Sequence, residues 1–314
     1  MYYIGIDVGG MSMKVGLVSE DGRILDTDRY QVVKEDTWQD QIKGTALIAK
    51  TLIEKHGLTL EDVKAVGVGV PGLANQKTGE IVFCTNLGWH DVPYREEFQK
   101  YLNLPVFLDN DATVAGLAES VVGVCAGTQS SVFITLGTGV GSGIVINGKV
   151  WSGFHGTGSE IGHMTLVAGG EPCTCGNRGC LERYCSATAM IRMGNKAAAK
   201  YPDSKLNELT GGNPRKMTAR FVVDAAREGD PAATEAYAEY ISYLGQALAS
   251  IANLLDPEVI ALGGGVCGAG EFLLEPVKAE MEKHLLFKGQ PYSRLELAKL
   301  GNDAGIIGAA MLGR

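Results

Sequence analysis

The sequence predicts an α/β protein of two domains, each built on a β-sheet from one repeated unit, with a compact Cys/His loop in the second. Three observations predict it. A strand, glycine turn, strand, hairpin pattern in YYIGIDVGGMSMKVGLVSEDGRILDTDRYQV recurs about 130 residues later in SSVFITLGTGVGSGIVINGKVW. Helical periodicities separate and follow the two copies. One histidine and three cysteines crowd into the eighteen residues 163–180.

The elements follow in chain order. Short, β-branched apolar runs at the N-terminus alternate with turn signals, and Asp21-Gly22 is a tight hairpin signal. Residues 39–56 carry Ile42, Ala46, Ala49 and Ile53 at helical spacing, and Gly57 stops the helix. AVGVGVPG (65–72) reads as a buried strand ending in a turn, followed by a loop and a helix near 94–102. PVFLDND (105–111) is a strand entering a helix at about 112–121. The second copy, 130–151, has its hairpin at Asn147-Gly148. A long helix over 232–255 puts Ala236, Tyr240, Leu244, Ala247, Ile251 and Leu255 on one face and ends at Asp256-Pro257. VIALGGGV (259–266) is a strand entering a third glycine turn, and AGIIGAAMLG is a small-residue helix suited to close packing. We expect a small N-terminal domain of residues 1–118 plus about 301–314, and a large C-terminal domain of 119–300.

Composition narrows the function classes. Apolar residues are 45% and charged residues 20% of 314, an ordinary globular mix. A net charge of −8 opposes nonspecific attraction to nucleic acid or anionic membrane. MYYIGIDVGG has no basic n-region, and no apolar run approaches the ~20 residues of a spanning helix. A cytoplasmic protein with neither nucleic-acid nor membrane partners is expected. In a reducing compartment the cluster of Cys173, Cys175, Cys180 and Cys185 suggests metal ligation, in which Cys185 could compete as a ligand but reads better as a neighbouring core thiol, while Cys84, Cys125 and Cys267 read as buried thiols.

The glycine turns at Gly9-Gly10, Gly137–Gly143 and Gly263–Gly265 each follow an apolar strand, and successive backbone amides can cradle phosphate oxygens. A dinucleotide fingerprint needs its glycines to open a helix, and a P-loop needs Gly-Lys followed by Ser or Thr. The first two turns lead back into strands, and Gly148-Lys149 is followed by Val150, so neither fits. Two strand–turn–strand clamps on a nucleotide remain, the arrangement of the actin and hexokinase-like (ribonuclease H-like) fold. DVGGMSMKVGLV resembles its phosphate-1 motif and LGTGVGSGIV its phosphate-2 motif.

His163, Cys173, Cys175 and Cys180 supply one imidazole and three thiolates, which suit tetrahedral Zn²⁺. Four protein ligands leave no open position, so the site is structural, worth roughly 10 kcal/mol apparent to an irregular loop. His–x9–Cys–x–Cys–Gly–x2–Gly–Cys–Leu–Glu resembles the zinc signature of the ROK family (repressors, open reading frames and kinases). The likeness runs through VPG, TNLGW, DNDA, EIGH and the C-terminal GGG. Family repressors carry an added N-terminal helix-turn-helix. This chain begins at the phosphate-1 strand and resembles the kinase branch, most closely bacterial glucokinases.

That resemblance implies ATP-dependent phosphorylation of a hexose, glucose first, by a homodimer. Asp111 matches the catalytic base; its position alone reads more readily as a helix N-cap, and the DNDA motif beside the others favours catalysis. Gly72, Asn86, Asn110, Glu160, His163 and Glu182 match sugar-binding positions, with His163 using one ring nitrogen for zinc and the other for a hydroxyl. From the residues alone Asn86 can simply shape a turn, and His90 and His155 read as structural or solvated. Asp7 would position Mg²⁺ through water. Gly9, Gly10, Ser12, Lys14, Gly137, Thr138 and Gly139 would line the phosphates, and Gly264 and Gly265 the adenosine. The family carries Thr after Gly-Gly where this chain has Met11-Ser12, so Ser12 would have to supply that hydroxyl. N-acetylmannosamine, N-acetylglucosamine, fructose and allose are rival acceptors within the family, and polyphosphate a rival donor. A non-catalytic sugar sensor is the rival of a different class.

Overall fold

The computed structural model describes residues 1–314, in two compact units. The first comprises Met1–Phe133, Gly143–Ser159 and Ala298–Arg314, and the second Ile134–Ser142 and Glu160–Leu297.

In the first unit β1 (Tyr2–Val8), β2 (Ser12–Ser19) and β3 (Ile24–Gln31) form an antiparallel meander, and β1 continues in parallel to β4 (Val63–Val70). The Asp21-Gly22 turn works as read: Gly22 has φ +80 and its N–H donates to Ser19 O. Helix α1 (Trp38–Lys55) opens on a Thr37–Asp40 capping box and buries Ile42, Ala46, Ala49 and Ile53. Residues 72–92, read above as turn and loop, instead form a three-stranded antiparallel sheet, β5 (Gly72–Asn75), β6 (Glu80–Cys84) and β7 (Trp89–Val92). Its strands are too short, and its turns too polar, for an alternating pattern to stand out. A short α2 (Tyr94–Gln99) leads to β8 (Val106–Asn110), which pairs in parallel with β4 and feeds α3 (Asp111–Val121).

The second five-stranded sheet runs β11-β10-β9-β12-β13, from β9 (Ser130–Leu136), β10 (Val140–Ile146), β11 (Lys149–Val150), β12 (Val259–Gly263) and β13 (Arg294–Leu297). Its β9–β10–β11 run repeats the β1–β2–β3 order, and Asn147 and Gly148 both take positive φ in the β10–β11 turn. The second unit carries α4 (Glu182–Cys185), α5 (Ala187–Lys200), α6 (Lys205–Thr210), α7 (Ala219–Arg227), α8 (Pro231–Leu255) and α9 (Glu271–His284). Asp230 caps α8 ahead of Pro231, and the left-handed Asp256 ends it. Ala236, Tyr240, Leu244, Ala247 and Ile251 are buried as expected, but Leu255 is 36% exposed because the last turn runs past the core. No helix is long and apolar enough to cross a membrane.

Helix α10 (Ala304–Met311) explains three glycines that lie inside strands. Gly16, Gly5 and Gly67 stand in register across β2, β1 and β4. A Cβ at Gly5 would fall on the Ile306 carbonyl, one at Gly67 on the Ala309 carbonyl, and one at Gly16 on the Ile306 side chain. The row is a bare track on which the helix backbone lies directly against the sheet, and Gly308 does the same for α3 at Val114 O. Gly67→Ala is expected to cost about 3 kcal/mol or more, because backbone, not a side-chain tip, must move. Urea unfolding of the purified variant measures it, and a loss under about 1 kcal/mol would contradict this packing.

Candidate active site

The candidate side chains cluster at strand ends and turns in the first unit, and in the second they lie in a glycine turn and the loop that follows. In the first unit, β1 delivers Asp7 and then turns through Gly9 and Gly10, with Gly9 N–H donating to Ser12 O at 3.2 Å. Neither glycine has positive φ. They serve close approach: a Cβ on Gly9 would meet Ser12 O at 2.7 Å, and one on Gly10 would press on Asn86 Cβ at 3.1 Å. Asn86, exposed in the β6–β7 turn, is thereby brought beside the phosphate-1 turn. The Met11 side chain is 82% exposed, while its carbonyl accepts from Val32 N–H at 3.0 Å and Gln31 Nε2 at 2.8 Å. The turn is thus held by its backbone, and Ser12, half-buried at the start of β2, is its hydroxyl.

Lys14 lies 3.9 Å from Asp7 and also reaches Asn302 O at 3.5 Å. Burial pushes the Asp7 carboxyl above its usual range, and the Lys14 ammonium pulls it back. Gly305 faces Asp7 so closely that a Cβ there would stand 2.7 Å from the carboxyl carbon.

The β8–α3 junction carries Asp109, Asn110 and Asp111. Asn110, not Asp111, caps α3: its Oδ1 accepts from Ala112 and Thr113 N–H at 2.9 and 3.3 Å, and its Nδ2 donates to Gly72 O at 3.2 Å. Asn110 therefore keeps one amide hydrogen for a ligand. Asp111 Oδ1 accepts from Ala112 N–H at 2.8 Å, and the side chain is exposed at the helix start. Gly72 has a packing reason of its own, since a Cβ there would collide with Phe83 O.

The second unit holds the phosphate-2 turn. Gly137 N–H donates to Gly139 O at 3.0 Å, and Thr138 is exposed between them. Residues opening α5 hold the turn from behind, Ala187 N–H on Gly137 O and Thr188 Oγ1 on Thr138 O, both at 2.8 Å. Glu182 Oε2 accepts from Val140 N–H at 3.0 Å and would clash with any Cβ on Gly139. One carboxylate thus joins this turn to the Cys/His loop. Gly264 takes φ +88 and leaves no room for a Cβ against the Leu136 backbone, whereas Gly265 faces open space.

Glu160 precedes and His163 ends a 3₁₀ turn, Ile161–His163, with His163 N–H donating to Glu160 O at 3.0 Å. Glu160 is exposed and His163 half-buried. Gly162 between them lets the turn lie on β10, since a Cβ there would meet the Val140 carbonyl.

The structure brings His163, Cys173, Cys175 and Cys180 together, with one donor atom from each within 4.8 Å of the others. Cys173 Sγ lies 3.7 Å from His163 Nδ1, and Cys175 Sγ 3.6 Å from Cys180 Sγ. Metal–sulfur bonds of ~2.3 Å at tetrahedral angles require sulfurs ~3.8 Å apart, so the donor set fits zinc. Nδ1 faces the sulfurs, which leaves Nε2 as the outward nitrogen. Cys185 is instead fully buried, with its carbonyl accepting from Tyr240 Oη at 2.7 Å, and burial pushes its thiol far up. Magnesium fits differently. Asp7 offers a single carboxylate, which suits an ion that keeps most of its water and arrives on nucleotide phosphates.

Sequence reasoning missed Asp109. It is 5% exposed and accepts from Asn110 N–H at 2.8 Å, from Ser152 Oγ at 2.9 Å and from Gln76 Nε2. Burial pushes its carboxyl above the usual range, against the pull of those donors. His90 and His155 are exposed and pack on Phe83 and Phe154.

Comparison with known proteins gives the family. The ROK family model matches residues 3–314. The chain is 37% identical to a glucokinase of Halalkalibacterium halodurans over 99% of its own length and 94% of that protein. It superposes on the crystal structure of a ROK family glucokinase from Streptomyces griseus, in complex with glucose and AMPPNP, with a TM-score of 0.80 at 33% identity and 99% coverage of both chains. Its relatives also include a xylose repressor of Caldicellulosiruptor bescii, 29% identical over 97% of this chain and 76% of that protein. With the family model spanning nearly its whole length, this chain belongs to the ROK family.

Proposed function

We propose that this protein is a hexose kinase that transfers the γ-phosphoryl group of ATP to the 6-hydroxyl of glucose. The observation that carries the reading is the division of labour at the β8–α3 junction. Asn110 does the capping, so the exposed Asp111 carboxylate stands at the helix start without that task. Asp111 takes the hydroxyl proton as the sugar oxygen bonds to phosphorus, and the bond from phosphorus to the bridging oxygen breaks to release ADP. Asn86, Asn110, the Gly72 turn, Glu160, His163 Nε2 and Glu182 are the groups assigned to the sugar hydroxyls. Backbone groups of Gly9, Gly10, Gly137, Thr138 and Gly139, with Ser12 and Lys14, hold the phosphates, and Gly264 and Gly265 border the adenosine.

Magnesium bound with ATP, near Asp7, would neutralise phosphate charge. Zinc held by His163, Cys173, Cys175 and Cys180 would fix the ring of His163 and the loop that leads to Glu182. The glucokinase relatives support glucose as the acceptor.

A second reading, sugar binding without turnover, draws on the xylose repressor among the relatives. An exposed carboxylate held at a rigid junction argues against it, because a sensor needs no base. A coupled ADP assay separates the two. With ATP and magnesium, the protein is expected to turn over glucose at about 10 s⁻¹ or more, ahead of N-acetylmannosamine, N-acetylglucosamine, fructose and allose. Polyphosphate replaces ATP in a parallel arm. Binding of glucose with no phosphate transfer from either donor would establish the sensor instead.

A further inference from the structure

Asp109 has no counterpart in the chemistry assigned so far, yet three donors converge on its carboxylate. It is buried two residues before the exposed Asp111, on the same strand end. Its Oδ1 accepts the N–H of Asn110, and its Oδ2 accepts both Ser152 Oγ and Gln76 Nε2. Gln76 and Ser152 also lie within 3.4 Å of each other, so the three side chains close a small network. Bonds to an ionised acceptor are shorter and stiffer than neutral ones, and taking that charge out of water is costly unless every lone pair is used.

The partners of this network come from separate stretches of chain. Gln76 sits in the β5–β6 turn, and Arg95 straps the same turn to the beginning of β8. Its guanidinium donates to Gln76 O at 2.8 Å, to Lys77 O at 2.9 Å and, through Nε, to Val106 O at 3.0 Å. The turn therefore grips β8 at both ends, through Arg95 at Val106 and through Gln76 at Asp109. Ser152 is buried at the base of a glycine-rich segment in which Gly153, Gly156 and Ser159 all take positive φ. One residue beyond Asp109, Asn110 Nδ2 donates to Gly72 O. Two consecutive residues are thus held by side-chain bonds from outside the strand, and the third presents its carboxylate.

We propose that Asp109 is a positioning residue for Asp111, locking the β8–α3 junction against the Gln76 turn and Ser152 so that the base is held at the angle proton abstraction requires. The inference rests on the reading of Asp111 as the base. Misplacing a catalytic group by about 1 Å costs on the order of 10²-fold in rate, which is more than binding of the sugar would feel.

The test is the steady-state kinetics of Asp109→Asn, an isosteric change, in the full-length zinc-loaded protein with ATP and glucose. The expected result is a kcat lower by about 30-fold with the glucose KM within about threefold. Ser152→Ala and Gln76→Leu, the second in a solvent-exposed turn, are each expected to lower kcat by about three- to tenfold at unchanged KM. Ser152→Ala should add nothing further in the Asp109→Asn background, because the bond it removes is already broken. A kcat within twofold of wild type in Asp109→Asn would overturn the proposal, as would variants in which KM and melting temperature deteriorate in step with kcat. If the wild-type protein transfers phosphate to no sugar, the kinase reading falls and this inference with it. If it does, and the variants keep their kcat, only the inference falls.

Discussion

Asp111→Asn is expected to lower kcat for glucose by about 10³-fold while leaving the glucose KM and the melting temperature nearly unchanged. The substitution removes basicity and keeps the shape of the side chain. Asn110 supplies the N-cap through its bonds to Ala112 and Thr113, and the Ala112 N–H that also reaches Asp111 Oδ1 would find an amide oxygen in the same place. What disappears is the ability to accept a proton. Positioned general bases contribute about 10²–10⁴-fold, and the remaining rate comes from holding sugar and nucleotide together. The coupled ADP assay reads kcat, and differential scanning fluorimetry checks the fold. A variant within tenfold of wild-type kcat would show that the base lies elsewhere.

Local sequence carried the regular parts of the fold. Both strand–turn–strand–hairpin units, α1, α3 and α8 announce themselves through periodicity, Asp-Gly and Asn-Gly turns and terminal glycine or proline. The β5–β7 sheet was illegible because strands of four or five residues, separated by Gln76-Lys77-Thr78 and Thr85-Asn86-Leu87-Gly88, never repeat an alternation long enough to outweigh their turns. Gly5, Gly16 and Gly67 left a usable signal, a glycine inside each of three β-branched runs. Its meaning depends on strand register and on a helix some 240 residues away or more, which no local window contains.

The candidate site divides in the same way. His163 and the three cysteines are close in sequence and their donor atoms meet within 4.8 Å, so their spacing alone pointed to a cluster that can hold a metal ion. Asp109 has partners 33 and 43 residues away, and its neighbours in sequence gave no hint of them. Asn110 shows a further limit. Sequence reading treated it as a sugar ligand and Asp111 as the residue in contention for the cap, whereas the structure gives the cap to Asn110 and leaves it one amide hydrogen to offer a hydroxyl.

Stripping zinc is expected to abolish glucose binding, raising Kd by at least about 100-fold, while the sheet of the first unit stays folded. The argument lies in how the loop is held. Its backbone bonds include Cys173 N–H to Asn177 O, Gly176 N–H to Cys173 O, Gly179 N–H to Glu171 O, and Leu166 and Val167 N–H to Gly179 O, while Glu171 N–H donates to Tyr184 Oη. Pro172, Thr174, Cys175, Asn177 and Arg178 are exposed, so little apolar burial supports the turn. Three thiol sulfurs and an imidazole gathered within 4.8 Å leave the thiolate forms mutually repelling unless a cation sits among them. Release of the ion should therefore let the loop open, freeing His163 and slackening the run from Cys180 to Glu182, whose carboxylate holds Val140. The first unit, packed on its glycine track, has no part in that loop and should keep its secondary structure. Chelator-treated protein and Cys175→Ser, compared with zinc-loaded wild type, provide the measurement: bound zinc by elemental analysis, glucose affinity by calorimetry, and the rate of tryptic cleavage after Arg178. Zinc-free protein that binds glucose normally and resists trypsin at Arg178 would mean that the loop holds its own shape, and that the metal has no share in sugar recognition.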